Sequence, residues 1–280
     1  MLILRFNHLN MGVMDLYTVI GNPVAHSRSP AMHQHFAALT GQNISYDRTL
    51  APVGQFADVF QRRVAEGLLG ANVTVPFKEA AWQRAEQLTA RAEQAGAVNT
   101  LARQADGSWL GDNTDGAGLV ADLQRLGMPL RGQRLLIVGA GGATRGILGA
   151  LLAQQPASVT LANRTRAKAD MLAADFAVEA VAMAALAGRQ FDVLINATAA
   201  SLQDLLLPLP VSLCAGAKLA YDLVYRQGGT VFEHWALAHG CAQSADGLGM
   251  LVAQGAESFA LWRGVRPDWQ QVLTAMREVE

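Results

Sequence analysis

Short apolar, β-branched runs alternate with longer segments of helical character along the chain. In the first half this pattern predicts strands at residues 17–21, 44–50 and 71–75 and helices at 30–39, 53–66, 78–88 and 117–126. In the second half it predicts strands at 134–138, 158–162, 191–197 and 218–224, a helix at 143–153, further helices between the later strands, and a long helix at 248–262. This alternation is typical of an α/β protein with a mostly parallel sheet.

The chain is long enough for two domains. It has 280 residues, of which 51% are hydrophobic and 16% charged, so each half has enough apolar side chains to bury a core of its own. Residues 1–13 precede the first predicted strand and contain several polar side chains. We expect a short extension there, with Met14 as the alternative initiator.

Charge and cysteine content exclude several classes of protein. The 22 basic and 23 acidic residues form no long run of one sign, so no basic face is available to a nucleic acid backbone. Cys214 and Cys241 have neither metal-ligand nor redox spacing, which favours a reducing cytoplasm over a zinc site or a disulfide scaffold. No stretch reaches the roughly 18 apolar residues of a membrane span. We therefore expect a cytoplasmic protein with a small-molecule substrate and without a metal, nucleic acid or membrane partner.

A glycine-rich turn joins the strand predicted at 134–138 to the helix that follows. The turn consists of Gly139, Ala140, Gly141, Gly142 and Ala143. Glycines in this context let the backbone approach a dinucleotide pyrophosphate, which also meets the free N–H groups of the helix start. Because Thr144 occupies the third glycine position of the usual fingerprint, the motif alone is weak, and a plain tight turn is the alternative.

The residues after the next strand favour NADP over NAD. NAD sites place a carboxylate there to bind the ribose 2′-hydroxyl, but this chain has Asn163, Arg164 and Thr165. Arg164, with Arg166 and Lys168 nearby, could pair with a 2′-phosphate. The alternative is a solvated basic helix start, which is less favourable because a cation at a helix N-terminus costs about 0.3–1 kcal/mol.

Two hydroxyl side chains lie at the start of the first predicted helix. Ser29, followed by Pro30, is predicted to be the N-cap of that helix, and Ser27 lies two residues earlier. The positive end of a helix, flanked here by His26 and Arg28, is a favourable place for a carboxylate. A purely structural cap is the alternative.

Lys78 and Asp115 each lie near the start of a predicted helix. An ammonium ion is disfavoured in the first turn of the helix at 78–88, and such local conflicts tend to mark functional sites. Asp115 lies in the polar loop 112–116. Taken singly, Lys78 could be a surface lysine and Asp115 a helix cap. Opposite one another, the two side chains could relay a proton during hydride transfer.

Segments that match one known family occur from residue 17 to about residue 267. They are residues 21–23, 26–30, 72–78, 96–100, 113–116, 139–143, 163–165, 196–198, 221–222 with 225, and 246–250. Together they resemble the shikimate dehydrogenase family. The resemblance implies reversible reduction of 3-dehydroshikimate to shikimate by NADPH, in the pathway to aromatic amino acids, with Lys78 and Asp115 as the catalytic pair and Lys78 as the proton donor.

The resemblance also assigns roles to other residues. Ser27 and Ser29 match residues that bind the substrate carboxylate, and the other matching substrate contacts are Lys78, Asp115, Thr74, Asn99, Tyr225 and Gln254. The matching cofactor residues are the turn 139–143, Asn163, Arg164, Thr165, Lys168, Thr198, Gly247 and Met250. The departures from the family pattern are Ala199 and Ser201, where serine and glycine are usual, and Arg28, where lysine is commoner.

The fold implied by the resemblance is α/β with two domains. An N-terminal substrate-binding domain with a mixed, mostly parallel sheet would comprise residues 1–114 and 251–280, and a Rossmann-type NADP-binding domain residues 115–250. A monomer or a homodimer is expected. Two other functions stay open: a quinate/shikimate dehydrogenase paralogue of broader specificity, which would use the same Lys78 and Asp115, and a catalytically idle relative that senses NADP or a metabolite, which would not need both.

Overall fold

The computed structural model describes residues 14–278, so the extension predicted at residues 1–13 lies outside the described residues. The described chain forms two β-sheets flanked by helices, which confirms the α/β class. The elements of the first half are β1 (Asp15–Gly21), α1 (Ser29–Thr40), β2 (Ile44–Leu50), α2 (Phe56–Ala65), β3 (Leu68–Val73), α3 (Lys78–Arg84), β4 (Gln87–Leu88), α4 (Ala90–Ala95), β5 (Thr100–Arg103) and β6 (Trp109–Asp112).

The first sheet is mixed and mostly parallel, as predicted. Its strand order is β2-β1-β3-β5-β6-β4, in which β5 runs antiparallel to both neighbours and the other pairs are parallel. A buried apolar cluster that includes Ile20, Phe60, Leu101 and Trp109 joins the sheet to α2 and α3. The carboxyl ends of β1, β3 and β6 therefore share one edge with the amino end of β5.

Some predicted boundaries in this half are wrong. The helix predicted at 78–88 ends at Arg84, because Ala85 is extended and the chain then forms β4, which pairs with β6. Strand β3 is displaced towards the N-terminus from the predicted 71–75, and α2 is shorter than the predicted 53–66. Pairing between distant strands decides the ends of α3 and β3, and the local sequence does not encode that pairing.

The second half forms a fully parallel sheet. Its elements are α5 (Asp115–Arg125), β7 (Arg134–Val138), α6 (Gly142–Ala153), β8 (Ser158–Ala162), α7 (Arg166–Phe176), β9 (Glu179–Val181), β10 (Val193–Asn196), β11 (Leu219–Asp222), α8 (Val231–Ala238), β12 (Ser244–Ala245), α9 (Leu248–Arg263) and α10 (Trp269–Glu278), with short 3-10 helices at Met183–Leu186, Ala200–Gln203 and Val211–Leu213. The order β12-β11-β10-β7-β8-β9 is that of a doubly wound Rossmann sheet, as predicted. Its order reverses between β7 and β10, where such sheets bind ligands.

Helices α5 and α9 connect the two halves and pack side by side. Gly118 of α5 lies directly against α9, since a methyl group there would be 2.7 Å from the backbone nitrogen of Gln254. Helix α9 then returns to the first sheet, where Trp262 Nε1 donates a hydrogen bond of 3.0 Å to Leu101 O. Between residues 14 and 278, no helix is both long and apolar enough to cross a membrane.

Candidate active site

The carboxyl edge of the first sheet gathers residues that were predicted to bind substrate. They follow β1, β3 or β6, or precede the antiparallel β5, and are Ser27, Ser29, Thr74, Lys78, Asn99 and Asp115. A hydrogen bond of 2.8 Å from Val73 N to Asn99 O fixes the amino end of β5 beside the end of β3. Residues that are distant in sequence therefore lie on one rim.

Lys78 and Asp115 are in contact on this rim. Lys78 Nζ lies 2.5 Å from Asp115 Oδ2, and the two side chains are 14% and 9% exposed. Each residue is the first of its helix, Lys78 of α3 and Asp115 of α5. Asp115 Oδ1 also accepts a hydrogen bond of 2.8 Å from Asn99 Nδ2, so the carboxylate is held on both sides. A charge-assisted pair held in this way directs the ammonium group to one position.

Thr114 and Gln254 complete the polar surroundings of Asp115. Asn99 Nδ2 lies 3.1 Å from Gln254 Oε1, and Thr114 N donates to Asn99 Oδ1 at 2.9 Å. Gln254 Nε2 is anchored within α9 by a bond of 2.8 Å to Leu251 O. The predicted Asn99 and Gln254 thus lie beside the lysine–aspartate pair. Thr114 was not predicted, although it directly precedes Asp115.

A buried polar cluster behind this rim was not predicted either. Asn72 Nδ2 donates to Thr100 Oγ1 and Ser258 Oγ at 3.2 and 3.0 Å, and Asn72 Oδ1 accepts from Tyr46 Oη at 2.8 Å. His33 stacks on Tyr46 with 4.2 Å between ring centroids. Burial, partly offset by a hydrogen bond to Asn72, lowers the pKa of His33 to about 3. The sequence signal for this cluster was Asn72 itself, an asparagine within an apolar strand. A buried amide needs hydrogen-bonding partners, so its position indicates polar side chains nearby.

The two serines lie at the amino end of α1, but the predicted N-cap is wrong. Helix α1 begins at Ser29, and its N-cap position is Arg28, whose side chain makes no capping bond. Ser29 N donates instead to Ser27 Oγ at 3.3 Å, and the two hydroxyl oxygens are 3.1 Å apart. Arg48 donates two hydrogen bonds, of 2.9 and 2.6 Å, to Ser27 O. Two hydroxyls and a guanidinium therefore lie close together at a helix N-terminus, a favourable arrangement for a carboxylate.

Thr74 and Tyr225 border the same region from different domains. A methyl group on Gly21 would lie 2.4 Å from Thr74 Cγ2, so Thr74 packs against the end of β1. Tyr225 follows β11 but packs against the apolar cluster of α1, α9 and α10. Burial raises the pKa of the Tyr225 phenol, and a hydrogen bond with the Arg28 backbone, together with the charges of Arg28 and Arg48, opposes that rise. Tyr225 thus reaches the segment that carries the two serines.

The glycine turn leaves open space at the start of α6. Gly139 has a φ of 119°, and a methyl group there would lie 2.9 Å from Ala197 O, so both the conformation and the contact require glycine. A methyl group on Gly141 or Gly142 would meet no atom within 4 Å. Thr144, in the third position of the fingerprint, donates its hydroxyl to Gly139 O at 3.0 Å and stabilises the turn. The first N–H groups of α6 border this space, which fits a pyrophosphate.

Two basic side chains follow β8, Arg164 in the loop after the strand and Lys168 in the first turn of α7. Arg164 and Lys168 are exposed, and neither forms an ion pair within residues 14–278. Arg166 differs from them because it pairs at 2.6 Å with the carboxylate one turn further along α7. Asn163 Nδ2 closes the loop by donating to Thr165 O at 2.8 Å. Arg164 and Lys168 are therefore available to a phosphate, whereas Arg166 is already paired.

The remaining predicted cofactor residues follow β10 and β12 at the same edge. Thr198 N and Thr198 Oγ1 both donate to Asn196 Oδ1, at 3.1 and 2.7 Å. A methyl group on Gly247 would lie 2.2 Å from Leu223 O, so this turn requires glycine. Met250 packs into the core of the second sheet. The predicted cofactor residues thus gather at the carboxyl ends of strands.

One departure from the family pattern has a structural reason. Ser201 is buried and donates to Asp222 Oδ2 at 2.6 Å, while Asn196 Nδ2 donates to the other carboxylate oxygen at 3.1 Å. Burial raises the pKa of Asp222, and these hydrogen bonds oppose that rise. Ser201 therefore supplies a partner to a buried carboxylate. Nothing in the structure explains Ala199.

The opening at the glycine turn lies close to the lysine–aspartate pair. A methyl group on Gly146, one turn into α6, would be 3.0 Å from Asp115 Oδ2. In the part of the chain that the structure describes, no three His, Cys, Asp or Glu side chains are grouped as metal ligands would be. A lysine–aspartate pair beside the ligand crevice of a doubly wound sheet is the arrangement expected of a two-domain dehydrogenase that uses a dinucleotide.

Comparison with known proteins identifies the family within that class. Models of the shikimate dehydrogenase substrate-binding domain, of shikimate/quinate 5-dehydrogenase and of the shikimate 5′-dehydrogenase C-terminal domain match residues 19–101, 122–205 and 247–279. The NADP-dependent shikimate dehydrogenase of Thioalkalivibrio sulfidiphilus is 53% identical over 95% of this chain and its own full length. The chain therefore belongs to the shikimate dehydrogenase family.

Solved structures agree with that assignment. The Ael1 enzyme of Pseudomonas putida is 42% identical and superposes with a TM-score of 0.87, covering 93% of this chain and 97% of its own. Shikimate 5-dehydrogenase of Thermus thermophilus, solved with NADP(H) and shikimate, is 36% identical and has a TM-score of 0.86, covering 95% of this chain and all of its own.

Proposed function

We propose that this chain is an NADP-dependent shikimate dehydrogenase, which catalyses the reversible reduction of 3-dehydroshikimate to shikimate in aromatic amino acid biosynthesis. The observation that carries the proposal is the contact of 2.5 Å between Lys78 and Asp115 beside the glycine turn. The relative from Thioalkalivibrio sulfidiphilus, which spans nearly the same length, is named for that activity.

The lysine–aspartate pair performs the proton transfer. When bound, NADPH supplies a hydride to the carbonyl carbon of the substrate. Lys78 donates a proton to the carbonyl oxygen as negative charge develops there, so that hydride and proton together convert the ketone to an alcohol. Asp115 directs the Lys78 ammonium group and accepts a hydrogen bond from a substrate hydroxyl, while Asn99 holds the Asp115 carboxylate at 2.8 Å. In the reverse direction Lys78 takes up the proton of the alcohol.

Substrate binding would use the rest of the rim. Ser27 and Ser29 bind the carboxylate at the amino end of α1, where the helix dipole and nearby Arg48 favour negative charge. The ring hydroxyls are contacted by polar side chains on both sides of the cleft, namely Thr74, Asn99, Gln254 and Tyr225. This set gives the site more hydrogen-bonding groups than an apolar ketone needs.

Cofactor binding would use the carboxyl edge of the second sheet. The turn 139–143 holds the pyrophosphate, and Arg164 and Lys168 pair with the 2′-phosphate beside Asn163 and Thr165. Gly247 and Met250 close over the nicotinamide end, and Thr198 is a further cofactor contact. We place the substrate-binding domain at residues 1–114 and 251–280 and the NADP-binding domain at 115–250. The enzyme is expected to be cytoplasmic and either monomeric or homodimeric.

The proposal is tested by assaying the purified protein with shikimate and with quinate, each with NADP and with NAD. We expect turnover with shikimate and NADP to exceed that of the other three combinations. Comparable turnover of quinate, or a marked preference for NAD, would favour the paralogue of broader specificity. NADP binding without turnover of either substrate would favour the idle relative.

A further inference from the structure

The last turn of α10 contacts segments on both sides of the substrate cleft. Met276 O accepts a hydrogen bond of 2.6 Å from Arg28 Nη2, and Arg28 lies between the two serines that are proposed to bind the substrate carboxylate. The next residue, Arg277, lies 3.3 Å from Asp246 Oδ1. Asp246 directly precedes Gly247, in the turn proposed to close over the nicotinamide. One helical turn thus touches both functional segments.

Asp246 is a junction of several segments. Its side chain is 14% exposed, accepts a hydrogen bond of 3.4 Å from Leu248 N and lies near the backbone of Arg226. Burial raises the pKa of Asp246, and Arg277 and these backbone donors oppose that rise. A buried carboxylate with several donors is costly to move, because each lost donor leaves charge uncompensated. Asp246 therefore fixes α10, its own turn and the Tyr225 loop relative to one another.

These contacts form a closed ring of four segments. The ring runs from Arg28 to the end of α10 and from there to Asp246. It continues from Asp246 to the loop of Tyr225 and Arg226, and it closes where the Tyr225 phenol approaches the Arg28 backbone. Apolar packing of α10 against α1 and α9 holds the helix in place. The carbonyl of Met276 belongs to the negative end of α10, which favours a guanidinium.

We propose that the last turn of α10 is a clasp that sets the position of the Ser27–Ser29 segment relative to Tyr225 and the Gly247 turn, with Arg277 as its positioning residue. The inference rests on the proposed function of those segments in binding substrate and nicotinamide. Arg28, where lysine is commoner in the family, fits this role because a guanidinium reaches the Met276 carbonyl with directed N–H groups.

The first test compares Arg277→Gln with Arg266→Gln, its matched control. Arg266 forms an exposed ion pair with Glu257, away from the ring. We expect Arg277→Gln to lower kcat/KM for shikimate about tenfold, the effect of weakening one charge-assisted hydrogen bond, mainly through KM, and to weaken NADP binding less, because Gly247 is one of many proposed cofactor contacts. Arg277→Lys restores most of the loss, and Arg266→Gln changes neither quantity. A variant that is only less stable would not show a larger change in KM for shikimate than in the dissociation constant for NADP.

A double variant tests whether the ring acts as one unit. If Arg28→Gln and Arg277→Gln break the same clasp, the combined variant is no worse than the more impaired single variant. The inference would be overturned if the losses in kcat/KM of the two single variants multiplied in the double variant. It would also be overturned if Arg277→Gln had the kinetics of Arg266→Gln, and either result would leave the proposed function intact.

Backbone hydrogen exchange without substrate gives a readout that does not depend on activity. We expect Arg277→Gln to exchange faster than Arg266→Gln in both the Ser27–Ser29 segment and the Gly247 turn. Faster exchange confined to α10 would contradict the clasp even if the wild-type protein oxidised no shikimate. A wild type without shikimate turnover would instead refute the proposed function, and the exchange result would still decide the clasp.

Discussion

At the scale of single residues, the Lys78 side chain is 14% exposed and is held by a carboxylate. Alanine at this position removes the proposed proton donor. It leaves the glycine turn unchanged, because that turn belongs to the other sheet. We expect Lys78→Ala to lower kcat for shikimate oxidation by about 10²–10⁴-fold, the contribution typical of general acid–base catalysis. NADP affinity, measured by calorimetry, should be nearly unchanged. Lys218→Ala, at an exposed site beside Asp192, is the control for full turnover. Near-normal kcat in Lys78→Ala would remove this lysine from the mechanism.

Arg164 is expected to distinguish the two nicotinamide dinucleotides. Its side chain is exposed at the end of β8, so alanine should not disturb the fold. We expect Arg164→Ala to weaken NADP binding about tenfold or more, because a charge-assisted contact to the 2′-phosphate is lost. NAD, which lacks that phosphate, should bind almost as before. Arg166→Ala is the matched control, since Arg166 is already paired within α7. Equal losses for NADP and NAD would contradict the assignment.

At the scale of elements, the sequence predicts what local signals encode. The apolar run at 134–138 and the glycines after it are such signals, since a buried parallel strand and a turn of positive φ each depend on neighbouring residues. The end of α3 is different: Ala85 leaves the helix because β4 pairs with β6, which lies further along the chain. The site likewise contains residues that the sequence predicts and residues that depend on distant contacts. Lys78 and Asp115 were predicted as a pair through the family resemblance, whereas the cluster around Asn72 depends on a contact with Ser258 that no local pattern contains.

The packing of α5 on α9 leads to a prediction about stability. A methyl group at Gly118 would lie 2.7 Å from Gln254 N and 2.8 Å from Met250 O, and backbone atoms cannot move aside cheaply. We expect Gly118→Ala to lower the free energy of unfolding by about 1–3 kcal/mol, as overpacking usually does. Denaturant titration measures this change.

Gly142→Ala is the matched comparison for Gly118→Ala. A methyl group at Gly142 meets no atom within 4 Å, so the free energy of unfolding should be preserved while NADP binds more weakly. A stable Gly118→Ala protein would mean that the two helices can separate without cost. Destabilised Gly142→Ala would mean that this glycine serves the fold and not the pyrophosphate.

At the scale of the whole molecule, polar contacts run through the interior of the first domain and join its two functional ends. The Tyr46 hydroxyl lies near the Ser29 side chain and donates a hydrogen bond to Asn72. Asn72 in turn contacts Ser258 of α9, the helix that also carries Gln254. Ser258 also contacts Thr114, and Asn99 joins Thr114 to Asp115, so this network reaches the Lys78–Asp115 pair. A charge that appears beside this network should lower the stability of the fold, because an unpaired buried charge is expensive.

His33 contacts this network through Asn72 and Tyr46, and its titration gives the final prediction. Burial lowers its pKa from 6.5 to about 3 in the folded protein. Between these two pH values the unfolded chain binds a proton that the folded protein does not, so folding becomes less stable as the pH falls. The contribution of this one group is at most about 1.4 kcal/mol per pH unit. Denaturant titrations from about pH 7 to about pH 4 should show a shallower loss of stability in His33→Gln than in the wild type.

The His33→Gln variant starts from a lower free energy of unfolding because the stacking of His33 on Tyr46 is lost. His35→Gln, at an exposed position of the same helix, should retain the wild-type slope. Identical slopes in all three proteins would show that His33 becomes protonated without unfolding the domain.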